Sequence, residues 1–195
     1  MSIDNKALGE ALRGFHAEKA KDPAGAHKKA ITYLESQIDL ADSEVELASI
    51  YGAIANEHAI FRYIEDEERV RLEITKRFPN DPLSWIHASS FYNYGRSNAA
   101  LALAMAEKGS RVAESAGHFV VHAYQEQCRA AKELGDYDTM TKVIMRLLSY
   151  KPPPRSMDSA YECDFLIGLP ENAVSEDLAS RLRNLCKQPK TQGTT

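Results

Sequence analysis

The sequence predicts an all-α protein. Apolar residues recur three and four positions apart along most of the chain, and no stretch alternates convincingly between apolar and polar residues, so the period is that of helices. Of the 195 residues, 44% are hydrophobic and 27% charged, an ordinary balance for a folded domain. A chain of this length buries enough surface to hold itself together, and we therefore expect one helical domain over residues 1–186.

Four helices are predicted before the first strong break. Their apolar stripes cover about residues 4–20, 23–38, 43–57 and 65–78. Asp22 followed by Pro23 is a helix cap with proline in the first turn, and Ser43 with Glu46 three residues later is a capping box. Pro79 ends the fourth helix, because the residue before a proline avoids the helical conformation.

The second half of the chain predicts further helices over about residues 82–94, 98–107, 115–134, 137–150 and 175–186. Gly95, Gly109 and Gly135 are expected to end three of them, because glycine favours the position just past a helix. Residues 155–170 are predicted to be irregular, and residues 187–195 to form a flexible polar tail.

Two segments share a pattern of aromatic, small and turn residues. The first contains Trp85, Ser89, Tyr92 and Gly95, and the second contains Tyr124, Cys128, Gly135 and Pro152. A weaker copy has Gly52 as its small residue, which places the three small residues 37 and 39 positions apart. Over residues 43–154 this pattern resembles the tetratricopeptide repeat, whose unit is about 34 residues long.

The resemblance implies antiparallel helical hairpins that stack as a short right-handed solenoid. Residues 1–42 are then an N-terminal helix pair, and the last helix is a cap. In this family the first helix of each hairpin faces a concave groove that holds a peptide or a helix of another protein. The groove residues carried over by position include Asn56, Glu57, Ile86, Ser90, Asn93, Tyr94, His122, Gln125, Arg129 and Lys132.

Gln125, Arg129 and Lys132 recur at four and three residues and so share one helix face. Their side chains donate hydrogen bonds, which suits a partner's backbone or carboxylates. We therefore expect a protein-protein interaction module that acts as an adaptor, a chaperone or an immunity protein that neutralises a toxin. The sequence does not choose among these roles.

A ladder of possible metal ligands offers the alternative interpretation. Glu114, His118, His122 and Glu126 follow one another at four-residue spacing, and on one helix two histidines can share a divalent ion with a carboxylate. The ladder lacks the His-Glu-x-x-His signature and a second group of ligands. We expect a solvated helix face and no cofactor, with a metal-dependent protein or enzyme centred on His118 and His122 as the alternative.

Composition and missing motifs argue against other classes. The net charge of −4 offers no basic excess for nucleic acid or a membrane surface. No nucleophile elbow or dinucleotide fingerprint is present, so we expect no enzyme. Cys128, Cys163 and Cys186 stand 35 and 23 residues apart, which fits neither a disulfide framework nor a Cys-x-x-Cys motif. A reducing cytoplasm is the expected compartment.

Overall fold

The computed structural model describes residues 4–153, 158 and 161–187, and every regular element in that part of the chain is helical. The all-α prediction is confirmed. The helices are α1 (Asn5–Glu18), α2 (Pro23–Ile38), α3 (Glu44–Phe61), α4 (Ile64–Arg77), α5 (Pro82–Ser90), α6 (Ala99–Ala116), α7 (Val120–Leu134), α8 (Tyr137–Ser149) and α9 (Glu176–Cys186). A π-helical turn (Phe91–Gly95) follows α5, and a short 3-10 turn (Asp164–Leu166) precedes α9. None of the described helices is long and apolar enough to cross a membrane.

The chain forms two compact units, of which the first ends at Phe78 and the second begins at Pro79. Unit 1 contains α1 to α4, and each helix packs against the next. The predicted caps are present, because Asp22 accepts a hydrogen bond from the amide of Gly25 and Ser43 accepts one from the amide of Glu46. The core of unit 1 is apolar and contains Leu34, Ile50, Ile54, Ala55, Val70, Ile74 and Phe78.

Unit 2 contains α5 to α9, in which α5 packs on α6, α6 on α7, α7 on α8, and α8 on α9. Ser89 and Cys128, two of the small residues in the repeat pattern, are both fully buried. The Ser89 hydroxyl donates to the carbonyl of Ala102 at 2.9 Å, which ties α5 to α6. Gly52, the third small residue, lies in unit 1, where an added Cβ would meet nothing within 4 Å.

Two predicted helix boundaries in unit 2 are wrong: the end of a helix at about residue 107 and the start of the next helix at about residue 115. Gly109 does not end a helix but lies inside α6, where an added Cβ would come 3.2 Å from the Cβ of Trp85. Glycine is therefore present at this position because α5 approaches α6 closely. The real break comes later, where Gly117 and Phe119 both adopt left-handed conformations and α7 starts at Val120.

The expectation that the cysteines form no disulfide is also wrong. Cys163 and Cys186 are joined, and the bond connects the segment before α9 to the last residue of that helix. Spacing alone does not reveal the pair, because the turns between the two residues bring their Cα atoms to 6.3 Å. Cys128 is a free thiol and is buried, as expected. The predicted tail over 187–195 lies outside the described residues from position 188 onwards.

Candidate binding site on helix α7

Residues 161–170 form an irregular segment that we call the strap, and its residues from Glu162 to Ile167 contact one face of α7. Gln125 donates from Nε2 to the carbonyl of Glu162 at 3.2 Å, and Lys132 donates from Nζ to the carbonyl of Ile167 at 2.6 Å. The helical period places these two donors on the same face, seven residues apart. The face therefore holds an irregular stretch of polypeptide by its backbone.

Arg129 lies between these two contacts and binds three carboxylates. Its Nε and one terminal nitrogen hold Asp164 in a bidentate pair at 2.9 and 2.7 Å. The same nitrogen also contacts Glu162 at 2.7 Å, and the other terminal nitrogen contacts Glu126 at 2.6 Å. The planar guanidinium fits this arrangement, because its fork of N–H groups matches carboxylate oxygens pairwise.

The carboxylates around Arg129 have different environments. Hydrogen bonding to Arg129 lowers the pKa of Asp164, which holds that strap residue ionised. Burial raises the pKa of Glu126 despite the neighbouring Arg129. Burial alone lowers the pKa of Arg129, but its bonds to Asp164, Glu126 and Glu162 outweigh that effect and raise it. Arg129 therefore remains charged, and its positive charge stabilises the buried carboxylate of Glu126.

The strap is anchored on its other side as well. The Phe165 side chain is 1% exposed and belongs to the core of unit 2. Cys163, between the two acidic strap residues, is bonded to Cys186 on α9. Just before the strap, Asp158 accepts a hydrogen bond at 2.8 Å from the amide of Val121, one of the free donors at the start of α7.

The π-helical turn after α5 also packs against α7. Asn93 in this turn is buried, and its side-chain amide lies next to the Tyr94 hydroxyl. Tyr94 is 62% exposed, and its pKa is raised by partial burial and by the charges of Glu126 and Asp164. These two predicted groove residues therefore lie on the turn that adjoins the charged face of α7.

The remaining predicted groove residues of unit 2 are less accessible than the sequence suggests. Ile86 is buried, and Ser90 is half-buried. His122 is half-buried, with its ring 6.0 Å from that of Phe119 in an edge-to-face arrangement. The structure brings Gln125, Arg129 and Lys132 together as predicted, but their donors already bind the chain itself.

The predicted residues of unit 1 take part in internal contacts. The Asn56 amide oxygen accepts a hydrogen bond from Arg71 at 2.8 Å. Glu57 is buried and contacts Nε2 of His16 at 2.8 Å. Polar groups thus hold α1, α3 and α4 together at these positions.

The predicted ligand ladder does not lie on one helix, because α6 ends at Ala116 and α7 begins at Val120. Glu114 accepts a hydrogen bond from the Tyr124 hydroxyl at 2.6 Å, and Nδ1 of His118 lies 3.1 Å from the carbonyl of Ala116. Glu126 pairs with Arg129. Within the described part of the chain, no three histidine, cysteine or acidic side chains are grouped so as to hold a metal ion.

Sequence reasoning missed Asp158 and the strap residues Glu162, Cys163 and Asp164. Their one visible signal is three acidic residues and a cysteine within seven positions of a predicted irregular segment. Such a segment has no helical period, so the pattern gives no direction for its side chains.

The sequence matches no protein-family model and no curated protein.

Proposed function

We propose that this protein binds a segment of another polypeptide along the face of α7 that the strap occupies. One observation carries this proposal: Gln125, Arg129 and Lys132 already hold a stretch of polypeptide by two backbone carbonyls and two carboxylates. The chemistry needed to bind a partner is therefore present and arranged on one helix face. Such binding requires no catalytic residue.

The contacts of the strap indicate which sequence features a partner segment needs. Its contacts favour a segment with two acidic side chains two residues apart, as in Glu162 and Asp164, followed by an aromatic residue like Phe165. Each of the two exposed carboxylates contributes about 0.5 kcal/mol by pairing with Arg129, and a lysine in its place adds like-charge repulsion.

The proposal includes a tetratricopeptide-like arrangement of the helix pairs of unit 2. In this proposal α5 with α6 and α7 with α8 are stacked hairpins of a right-handed solenoid, and α7 contributes the first helix of its repeat. Full burial of Ser89 and Cys128 at the small positions supports it. Adaptors, chaperones and toxin-neutralising immunity proteins all act through such binding, and the identity of the partner would decide among them.

A peptide with the sequence of residues 161–169, carrying serine in place of Cys163, tests the proposal; we call it the strap peptide. The receptor is a strap-open variant with Glu162→Ala, Cys163→Ser and Asp164→Ala, which removes the competing carboxylates and the disulfide. We expect calorimetry to detect binding to this variant. Binding should weaken tenfold or more when both acidic residues of the peptide become lysine, since about 1.4 kcal/mol corresponds to a factor of ten.

Adding Arg129→Ala to the strap-open variant is the matched receptor control and should weaken binding to a similar extent. The helical circular dichroism signal and a cooperative unfolding transition verify that both receptors are folded. Absence of binding to a folded strap-open variant contradicts the proposed function. Equal binding of the acidic and lysine peptides contradicts the assigned role of Arg129.

A further inference from the structure

The strap is held by two kinds of bond that differ in how they can be broken. Salt bridges and backbone hydrogen bonds join it to α7, whereas the Cys163–Cys186 disulfide joins it to α9. Cys163 stands directly between Glu162 and Asp164, the two residues that occupy Arg129. The covalent bond is therefore located where release of the strap would free the arginine.

The non-covalent contacts of the strap include several exposed groups. The side chains of Glu162 and Asp164 are 60% and 52% exposed, so solvent weakens their pairing with Arg129. Ile167, whose carbonyl binds Lys132, exposes most of its side chain. Phe165 is the one strap side chain with a fully buried contact among the described residues of the segment.

We propose that the Cys163–Cys186 disulfide is a redox lock that keeps the strap on α7, and that a dithiol reductant unlocks the site for a partner polypeptide. This inference rests on the proposed function, because the strap and the partner compete for the same donors. With the disulfide formed, the strap is joined covalently to α9 as well as non-covalently to α7. With the disulfide reduced, only the non-covalent contacts retain it.

The chemical step is a thiol-disulfide exchange. A thiolate of the dithiol attacks one sulfur of the bond, forms a mixed disulfide and releases the other sulfur as a thiolate. The second thiol of the reductant then displaces the remaining cysteine. Two electrons and two protons pass from the dithiol to Cys163 and Cys186, which become thiols, and the reductant becomes a disulfide. Both cysteines are half-buried rather than enclosed, so a reductant can approach the bond.

The expected size of the effect follows from the length of the closed loop. Cys163 and Cys186 are separated by 23 residues, and a cross-link of that length shifts the unfolding equilibrium by on the order of 100-fold, which is an upper limit for release of the strap because α9 stays folded. The apparent Kd of a partner equals its intrinsic Kd divided by the fraction of open sites. Reduction should therefore lower the apparent Kd by about 10-fold to 100-fold.

The test measures binding of fluorescent strap peptide to the full chain, oxidised and after treatment with dithiothreitol. We expect binding to the reduced protein to be at least tenfold tighter than to the oxidised protein. Cys186→Ser removes the lock without changing the strap, so this variant should bind tightly with or without dithiothreitol. Cys128→Ala alters only the buried free thiol and should keep the redox response.

The strap-open variant separates the two proposals. Peptide binding to the strap-open variant, combined with equal affinities of oxidised and reduced wild type, overturns the redox lock and leaves the proposed function intact. Absence of binding to the folded strap-open variant overturns the proposed function and the lock together. Nitrogen-15 NMR gives a second readout that does not depend on the peptide: the Nε–H of Arg129, which donates to Asp164, should shift on reduction of the full chain, and an unchanged resonance overturns the lock.

Discussion

Replacing Arg129 by alanine should strongly destabilise unit 2. The side chains of Arg129 and Glu126 are only 12% and 10% exposed, and removing one partner of a buried ion pair costs about 3–5 kcal/mol. The pair keeps slight access to water, so we take about 3 kcal/mol. The more exposed Glu162 and Asp164 add no more than about 0.5 kcal/mol each. The free energy of unfolding should therefore fall by about 3–4 kcal/mol.

Arg181→Ala is the matched control in the same unit. Arg181 and Asp177 are 59% and 78% exposed and 3.6 Å apart, so this change should alter the free energy of unfolding by less than about 0.5 kcal/mol. Urea denaturation monitored by circular dichroism measures both variants. Adding Glu126→Gln to Arg129→Ala removes the unpaired charge and should restore part of the loss. Similar small effects of Arg129→Ala and Arg181→Ala would show that the Arg129–Glu126 pair does not stabilise unit 2.

The Arg129→Ala penalty should also depend on pH. Burial raises the pKa of Glu126 above its ordinary value of 4.5, and loss of Arg129 removes an attraction that opposes this rise. The folded variant then binds the Glu126 proton more tightly than the unfolded chain does. The loss in free energy of unfolding caused by Arg129→Ala should be small below pH 4.5 and should grow as pH rises through the raised pKa of Glu126. A penalty that is constant between pH 4 and pH 8 would contradict this assignment.

Two further predictions concern packing and protonation. Gly109→Ala should destabilise the protein by about 1–2 kcal/mol, because its Cβ would crowd Trp85, whereas Gly14→Ala, which meets nothing within 4 Å, should stabilise it by about 0.5–1 kcal/mol; urea denaturation giving both changes the same sign would contradict this. Burial lowers the pKa of His27 and His58 below 6.5, so the unfolded chain takes up these protons more readily and the free energy of unfolding should fall as pH drops from 7.5 to 5.5. The fall should shrink in His58→Asn, and an unchanged fall in that variant would refute the assignment.

Local signals predicted most of the helices. The caps at Asp22 and Ser43, and the stops at Pro79 and Gly135, depend on backbone chemistry within a few residues. Such local signals can be predicted from a single sequence. The role of Gly109 could not be predicted in this way, because it depends on the approach of another helix and not on neighbouring residues in the chain.

The candidate site could be predicted only in part. Periodicity placed Gln125, Arg129 and Lys132 on one face, and their chemistry as donors to backbone and carboxylate groups follows from residue type. Their actual acceptors lie 33 to 37 residues away in an irregular segment. A helical period carries no information about such a distant segment. The same reason explains why the Cys163–Cys186 pair was missed.

The most direct test of the central claim is to locate a bound peptide on α7. Nitrogen-15 NMR of the strap-open variant, titrated with strap peptide, reports the side-chain amide of Gln125 and the Nε–H of Arg129, with the Nε–H of Arg181 on α9 as an internal reference. We expect saturable shifts of the Gln125 and Arg129 resonances and an unchanged Arg181 resonance. Saturable binding that leaves the Gln125 and Arg129 resonances unmoved would contradict the claim that this face of α7 binds polypeptide.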